Sequence, residues 1–113
     1  GDVMTYEDIL AQGFDHDGSS ADDIIDGTEV TDRINTFAGN DDIAALGGDD
    51  FIDAGSDDDV VDAGSGNNTV FGGDGNDEIR SHGGNDLLSG DAGDDLIQAG
   101  GGNDQLNGGA GND

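Results

Sequence analysis

Residues 72–89 read GGDGNDEIR and then SHGGNDLLS, two nine-residue units laid end to end. Each opens on small residues, carries Asp in its sixth place (Asp77, Asp86) and an aliphatic residue in its eighth (Ile79, Leu88). The register extends in both directions without an insertion or deletion. Branched aliphatics recur at Ile25, Ile34, Ile43, Ile52, Val61, Val70, Ile79, Leu88, Ile97 and Leu106. Two places before them stand Asp23, Asp32, Asp41, Asp50, Asp59, Asn68, Asp77, Asp86, Asp95 and Asp104, and Asp113 is next in the series. Asn68 is the one departure. So strict a period describes a solenoid in which every unit gives one core residue and one carboxylate.

The units begin at Gly18, and their two halves ask for different backbone. Gly fills the fourth place at Gly39, Gly48, Gly66, Gly75, Gly84, Gly93, Gly102 and Gly111, with Ala21, Val30 and Asp57 as the exceptions. The first six residues are small or carboxamide-bearing, which suits turns that visit positive φ. The last three hold one aliphatic between variable neighbours, as in a short strand with only its centre buried. Turn and strand alternating with period nine give two units per coil. Successive aliphatics then face each other in two rows: Ile25, Ile43, Val61, Ile79 and Ile97 in one, Ile34, Ile52, Val70, Leu88 and Leu106 in the other. Strands of one row stack in parallel, about 4.8 Å apart.

Residues 1–17 stand outside this register. Thr5-Tyr6-Glu7-Asp8 before Ile9-Leu10 has the pattern of a capped helical turn, with Gly13 placed to end it. The segment is expected to cap the open end of the solenoid. Nothing near Gly1-Asp2-Val3-Met4 forms a signal peptide, and no apolar run is long enough to span a bilayer. Because the chain stops within a repeat, the expectation is a piece of a longer protein.

Composition alone describes a disordered chain. Of 113 residues 31% are hydrophobic, 4% aromatic, and the formal net charge is −26. Such a chain repels nucleic acid and anionic membrane, and its natural counter-ligands are cations. With no cysteine, neither disulfides nor thiolate sites can stabilise it. Stacking sets each sixth-place Asp over the one eighteen residues on. The repulsion is roughly 1 kcal/mol per close pair in water and more where it is drier. A divalent ion between neighbouring turns reverses the sign. Carboxylates plus the carbonyls of Gly-rich turns form a hard-oxygen site suited to Ca²⁺, whereas Mg²⁺ demands tighter octahedral geometry.

Gly72-Gly73-Asp74-Gly75-Asn76-Asp77-Glu78-Ile79-Arg80 resembles the RTX (repeats-in-toxin) nonapeptide of hemolysin-type calcium-binding domains, and residues 18–113 carry the resemblance. It implies an all-β, right-handed parallel β-roll, a β-solenoid with two nonapeptides per coil. It also implies calcium held by main-chain carbonyls of the first four places of each turn, with the sixth-place side chain bridging two ions. Carried over place by place, the implied bridging residues are Asp41, Asp50, Asp59, Asp77, Asp86, Asp95, Asp104 and Asp113, with Asn68 standing in the same place as a departure from the pattern. The first turns implied to supply carbonyls contain Thr36, Ala38 and Gly39, then Ala45, Gly47 and Gly48, then Ala54, Gly55, Ser56 and Asp57. Ala63, Gly64, Ser65 and Gly66 follow, and after them Gly72, Gly73, Asp74 and Gly75. The remaining turns contribute Ser81, His82, Gly83 and Gly84, then Gly90, Asp91, Ala92 and Gly93, then Ala99, Gly100, Gly101 and Gly102, and finally Gly108, Gly109 and Gly111. Asn68 offers an amide oxygen without charge, so its sites are expected to be weaker. Ala21 and Val30, where Gly is expected, predict poor or absent calcium at Asp23 and Asp32; Val30 is the worse fit, since a β-branched residue resists positive φ. Pairing each turn with the one two units on gives about seven Ca²⁺. Residues 2–9 also resemble the spacer that precedes RTX blocks.

Other chemistry finds little support. Asp15-His16-Asp17-Gly18 hints at an EF-hand loop but lacks a third ligand before the Gly. His16 and His82 are the only histidines, and His82 has no partner legible in the sequence. No nucleophile–base pair or phosphate loop is present, so the expectation is a non-enzymatic module. Phe51, Phe71, Leu87 and Thr69 fall on one outer face, the other bearing Asp42, Glu78, Asp62 and Arg80 beside Val60 and Leu96; an apolar stripe that packs on a partner is expected on the first. The resemblance further implies export through type I secretion machinery from a Gram-negative bacterium and folding in extracellular calcium. Two further roles stay open: an adhesive or structural spacer of a large surface protein, and an accessory module of a secreted enzyme.

Overall fold

Strand and turn alternate down the chain as a nine-residue period requires. The computed structural model describes residues 14–111. Its strands are β1 (Phe14–Asp17), β2 (Ile24–Thr28), β3 (Asp32–Asn35), β4 (Asp42–Leu46), β5 (Phe51–Asp53) and β6 (Val60–Gly64), then β7 (Thr69–Phe71), β8 (Glu78–Ser81), β9 (Leu87–Ser89), β10 (Leu96–Gln98) and β11 (Gln105–Asn107). No helix occurs among the described residues. Odd strands form one sheet, β1-β3-β5-β7-β9-β11, and even strands the other, β2-β4-β6-β8-β10. Every pairing is parallel, and equivalent residues lie eighteen apart: Ile34 opposite Ile52, Ile52 opposite Val70, Ile43 opposite Val61. One coil is therefore two nonapeptides, and the two rows of aliphatics face each other between the sheets. A shortest dimension of 15 Å leaves room for one such layer.

The core is thicker in sequence terms than one residue per unit. Ile34, Ile43, Ile52, Val61, Val70, Ile79 and Leu88 are fully buried, but so are Ala45, Ala54, Ala63 and Thr36 in the first place of their units. The sixth-place residues are buried as well, from Asp32 at 1% exposure to Asp95 at 5%. Strand geometry explains this. Side chains alternate faces, so the sixth, eighth and next first places all point inward. Small residues fill the first place because they share the narrow core with the aliphatics.

The roll also begins earlier than Gly18. β1 pairs in parallel with β3, setting His16 opposite Ile34. No aliphatic marks the eighth place there, so the period gave no sign of this strand. An extended, sheet-paired Phe14–Asp17 also excludes the EF-hand loop. The capped turn expected at Thr5–Leu10 lies outside the described residues.

The outer faces differ less than expected. Phe51 and Phe71 do meet, their ring centroids 5.7 Å apart and tilted by 53°. Yet the even sheet exposes Ile24, Val60 and Leu96 at least as fully as the odd sheet exposes Phe51 and Leu87. Apolar residues are thus distributed over both faces.

Candidate metal centre

Two ladders of side-chain hydrogen bonds tie each turn to the turn one coil away. In the first, the sixth-place N–H donates to Oδ1 of the sixth-place residue eighteen on: Asp41 to Asp59 at 2.8 Å, Asp59 to Asp77 at 2.9 Å, Asp77 to Asp95 at 2.9 Å. On the opposite edge Asp32 donates to Asp50, Asp50 to Asn68, Asn68 to Asp86 and Asp86 to Asp104. The second ladder runs the other way through the fifth place. Asp58 N–H donates to Asn40 Oδ1, Asn76 to Asp58 and Asp94 to Asn76, while Asn85 donates to Asn67. Each turn is thereby held in register before any cation is considered.

From Thr36 on, the turns have left-handed residues in the second and fourth places, except that the turn at 81–86 has one only in the fourth, Gly84. Gly73 and Gly75 have φ of 95° and 125°, Gly64 and Gly66 of 77° and 102°. A Cβ on Gly73 would overlap the Gly55 carbonyl oxygen, and one on Gly75 the Asp57 carbonyl oxygen. Glycine is required twice over there, by conformation and by the close approach of the previous coil. Ala21 and Val30 keep out of the left-handed region. Their turns settle the sixth-place carboxylate differently: Ser19 N–H and Oγ donate to Asp23, and Thr28 N–H and Oγ1 donate to Asp32.

The remaining carboxylate oxygen defines the site. Oδ2 of Asp41, Asp59 and Asp77 is buried with no hydrogen-bond partner. In the turn at 72–77 it lies against Gly72, where a Cβ would come within 2.5 Å of it. The turn at 63–68 shows what else points there, because the Asn68 amide nitrogen reaches the carbonyl oxygens of Ala63, Gly64 and Gly66 at 3.3–3.4 Å. A turn of this backbone aims the carbonyls of its first, second and fourth residues at its own sixth side chain. Where that side chain is Asp, acceptor faces acceptor, a costly arrangement in a buried setting. Burial pushes the carboxyls of Asp59 and Asp77 up to about 7, against the lowering effect of the N–H bonds from Asp41 and Asp59. Repulsion from Asp77, Asp41 and Asp57 adds to the rise at Asp59, and from Asp95, Asp58 and Asp91 at Asp77.

Such an arrangement fits a hard divalent cation. Among the described residues no three His, Cys, Asp or Glu side chains converge on one point. The donor set is one carboxylate per turn plus main-chain carbonyls, chemistry that favours Ca²⁺ over transition metals. Third-place carbonyls are partly committed: those of Gly83, Ala92 and Ala110 accept N–H bonds from Gly66, Gly75 and Gly93. One lone pair remains on each.

A family model for the RTX calcium-binding nonapeptide repeat matches in four copies, at residues 17–52, 45–79, 53–88 and 81–113. The chain belongs to the RTX calcium-binding repeat family. Neither the curated proteins nor the solved structures give a match. The repeats make calcium the ligand of this module, in agreement with the orphaned RTX carboxylates.

Asp41, Asp59, Asp77 and Asp95 line one edge of the RTX roll, and Asp50, Asn68, Asp86 and Asp104 the other, as the eighteen-residue coil dictates. Asp113 lies outside the described residues. His82, for which the sequence offers no partner, has one: its Nε2 lies 3.1 Å from Asp62 Oδ1. Stacking places the second position of one coil beside the strand end of the coil before it. Arg80 pairs with Glu78 at 2.6 Å on the exposed face. Sequence reasoning missed the fifth-place ladder, although its signal is Asn or Asp there in every unit but the one with Thr31.

Proposed function

We propose that the chain is a non-catalytic, calcium-driven folding module of a secreted bacterial protein, and that it remains unfolded until it reaches calcium-rich medium outside the cell. The observation that carries this is the row of buried carboxylate oxygens at Asp41, Asp59 and Asp77, each without a hydrogen-bond donor. In calcium-poor cytosol a net charge of −26 opposes stacking. Extracellular modules of this kind bind calcium with affinities on the order of 10⁻⁴–10⁻³ M, so binding and folding are one event. RTX repeats typically occur in secreted proteins, which supports passage of the unfolded chain through type I secretion machinery. The register allows about seven ions, each between a turn and the turn one coil on.

Circular dichroism in calcium-free buffer and in millimolar Ca²⁺ tests this. A transition from coil to β-structure is expected, with Mg²⁺ a poor substitute. A complete, cooperative melting curve in excess chelator would overturn the proposal.

A further inference from the structure

Within one edge of the roll, a turn already holds a donor where the turns of Asp41, Asp59 and Asp77 on the other edge need a cation. Asn68 is 1% exposed, and its Oδ1 accepts the Asp50 N–H at 2.9 Å. Its Nδ2 donates into the carbonyls of Ala63, Gly64 and Gly66. The orientation of the amide is fixed by this network. Exchanging oxygen and nitrogen would set an acceptor against three acceptors and a donor against the Asp50 N–H. The next turn on that edge is also supplied from within, since the buried Ser81 Oγ donates to Asp86 Oδ2 at 2.6 Å. So is the first, where Thr28 donates to Asp32. On the opposite edge, Asp41, Asp59 and Asp77 have no such donor.

We infer that the turn at residues 63–68 is a built-in metal-free rung: the Asn68 amide occupies the carbonyl cradle in place of calcium. This rests on the calcium reading above and departs from it in one respect. The two N–H groups of the amide are shared among the three carbonyls, of which Gly64 O also accepts the His82 N–H, without adding a buried negative charge, and a calcium ion cannot share the space the amide fills. The row of ions on that edge is therefore interrupted, and the edge through Asp41, Asp59 and Asp77 carries the continuous row. On that edge the turns that hold Asp32, Asn68 and Asp86 keep internal hydrogen bonds when calcium is scarce.

Asn68→Asp tests the assignment, with calcium stoichiometry from equilibrium dialysis and β-content from circular dichroism as readouts. The variant is expected to bind about one more ion per chain than wild type and to need more calcium to reach half-maximal β-signal. Unchanged stoichiometry would overturn the inference, whatever the midpoint does. The converse variant, Asp77→Asn on the other edge, is expected to bind about one ion fewer while reaching the wild-type β-signal at saturating calcium. If Asp77→Asn does not fold at any calcium concentration, an amide cannot stand in for the ion and the inference falls. Wild-type protein that takes up no calcium would sink the functional reading itself, whereas calcium uptake equal in wild type and Asn68→Asp sinks only the metal-free rung.

Discussion

At the scale of single residues, the fourth place of each turn decides how closely two coils can approach. Among the described residues, Asp57 is the only one other than glycine found there at positive φ, at 80°. A left-handed L-residue costs roughly 1–2 kcal/mol, partly offset because glycine gives the unfolded chain about 0.5–1 kcal/mol more freedom. Asp57 Oδ2 does accept the Gly39 N–H at 3.0 Å, but that bond is exposed and water can replace it. Asp57→Gly is therefore expected to stabilise the calcium-loaded roll by about 0.5–1 kcal/mol, read from urea denaturation at saturating calcium. Gly75→Ala should have the opposite sign and a larger size, more than about 1 kcal/mol, because its Cβ meets both a φ of 125° and the Asp57 carbonyl. Equal midpoints for Gly75→Ala and wild type would remove the case for a steric fourth place.

At the scale of strands, a residue matters in proportion to how many coils enclose it. Ile52 on β5 lies between Ile34 and Val70 and is fully buried, whereas Leu106 on β11 is 51% exposed. Ile52→Ala is expected to cost about 2–5 kcal/mol at saturating calcium, and Leu106→Ala less than about 1 kcal/mol, measured by the same urea titration. Similar losses at the two sites would mean that the rows do not form a stacked core. The strands and their pairing were legible because Asp and aliphatic residues differ sharply in chemistry and recur with period nine. Other inward positions were hidden. Thr36 and Ala45 are core residues, yet small side chains read equally well as turn formers. The Asn40 and Asn76 ladder was hidden for the same reason, since Asn is expected in any tight turn. β1 was illegible because backbone pairing alone places it. The metal edges were legible as a row of carboxylates. What the sequence could not show is which oxygens already have donors, for Ser81 meets Asp86 through turn geometry and Asn68 meets three carbonyls through backbone φ.

At the scale of the whole molecule, the governing quantity is buried negative charge, and protons compete with calcium to neutralise it. In the metal-free roll the carboxyls of Asp59 and Asp77 stand at about 7, against an ordinary value of 3.8. Between those values the folded form binds protons that the unfolded form does not, so lowering the pH through this window stabilises the folded form. The contribution is complete below 3.8 and is lost as pH rises through 7. With no calcium present, β-structure is expected to increase as pH is lowered from 8 toward 5.5, a range that stays above the sequence pI of 4.1 and its risk of precipitation. With calcium present the dependence reverses, because the same two carboxylates must lose their protons to hold the ion, so the calcium midpoint should rise as pH falls. Circular dichroism across both series, in calcium-depleted and calcium-containing buffer, reads the two trends directly. Opposite slopes are what a proton–metal exchange at Asp59 and Asp77 demands. A metal-free β-signal that weakens with acidification would place the repulsion elsewhere in the chain, and calcium would then be neutralising a different set of charges.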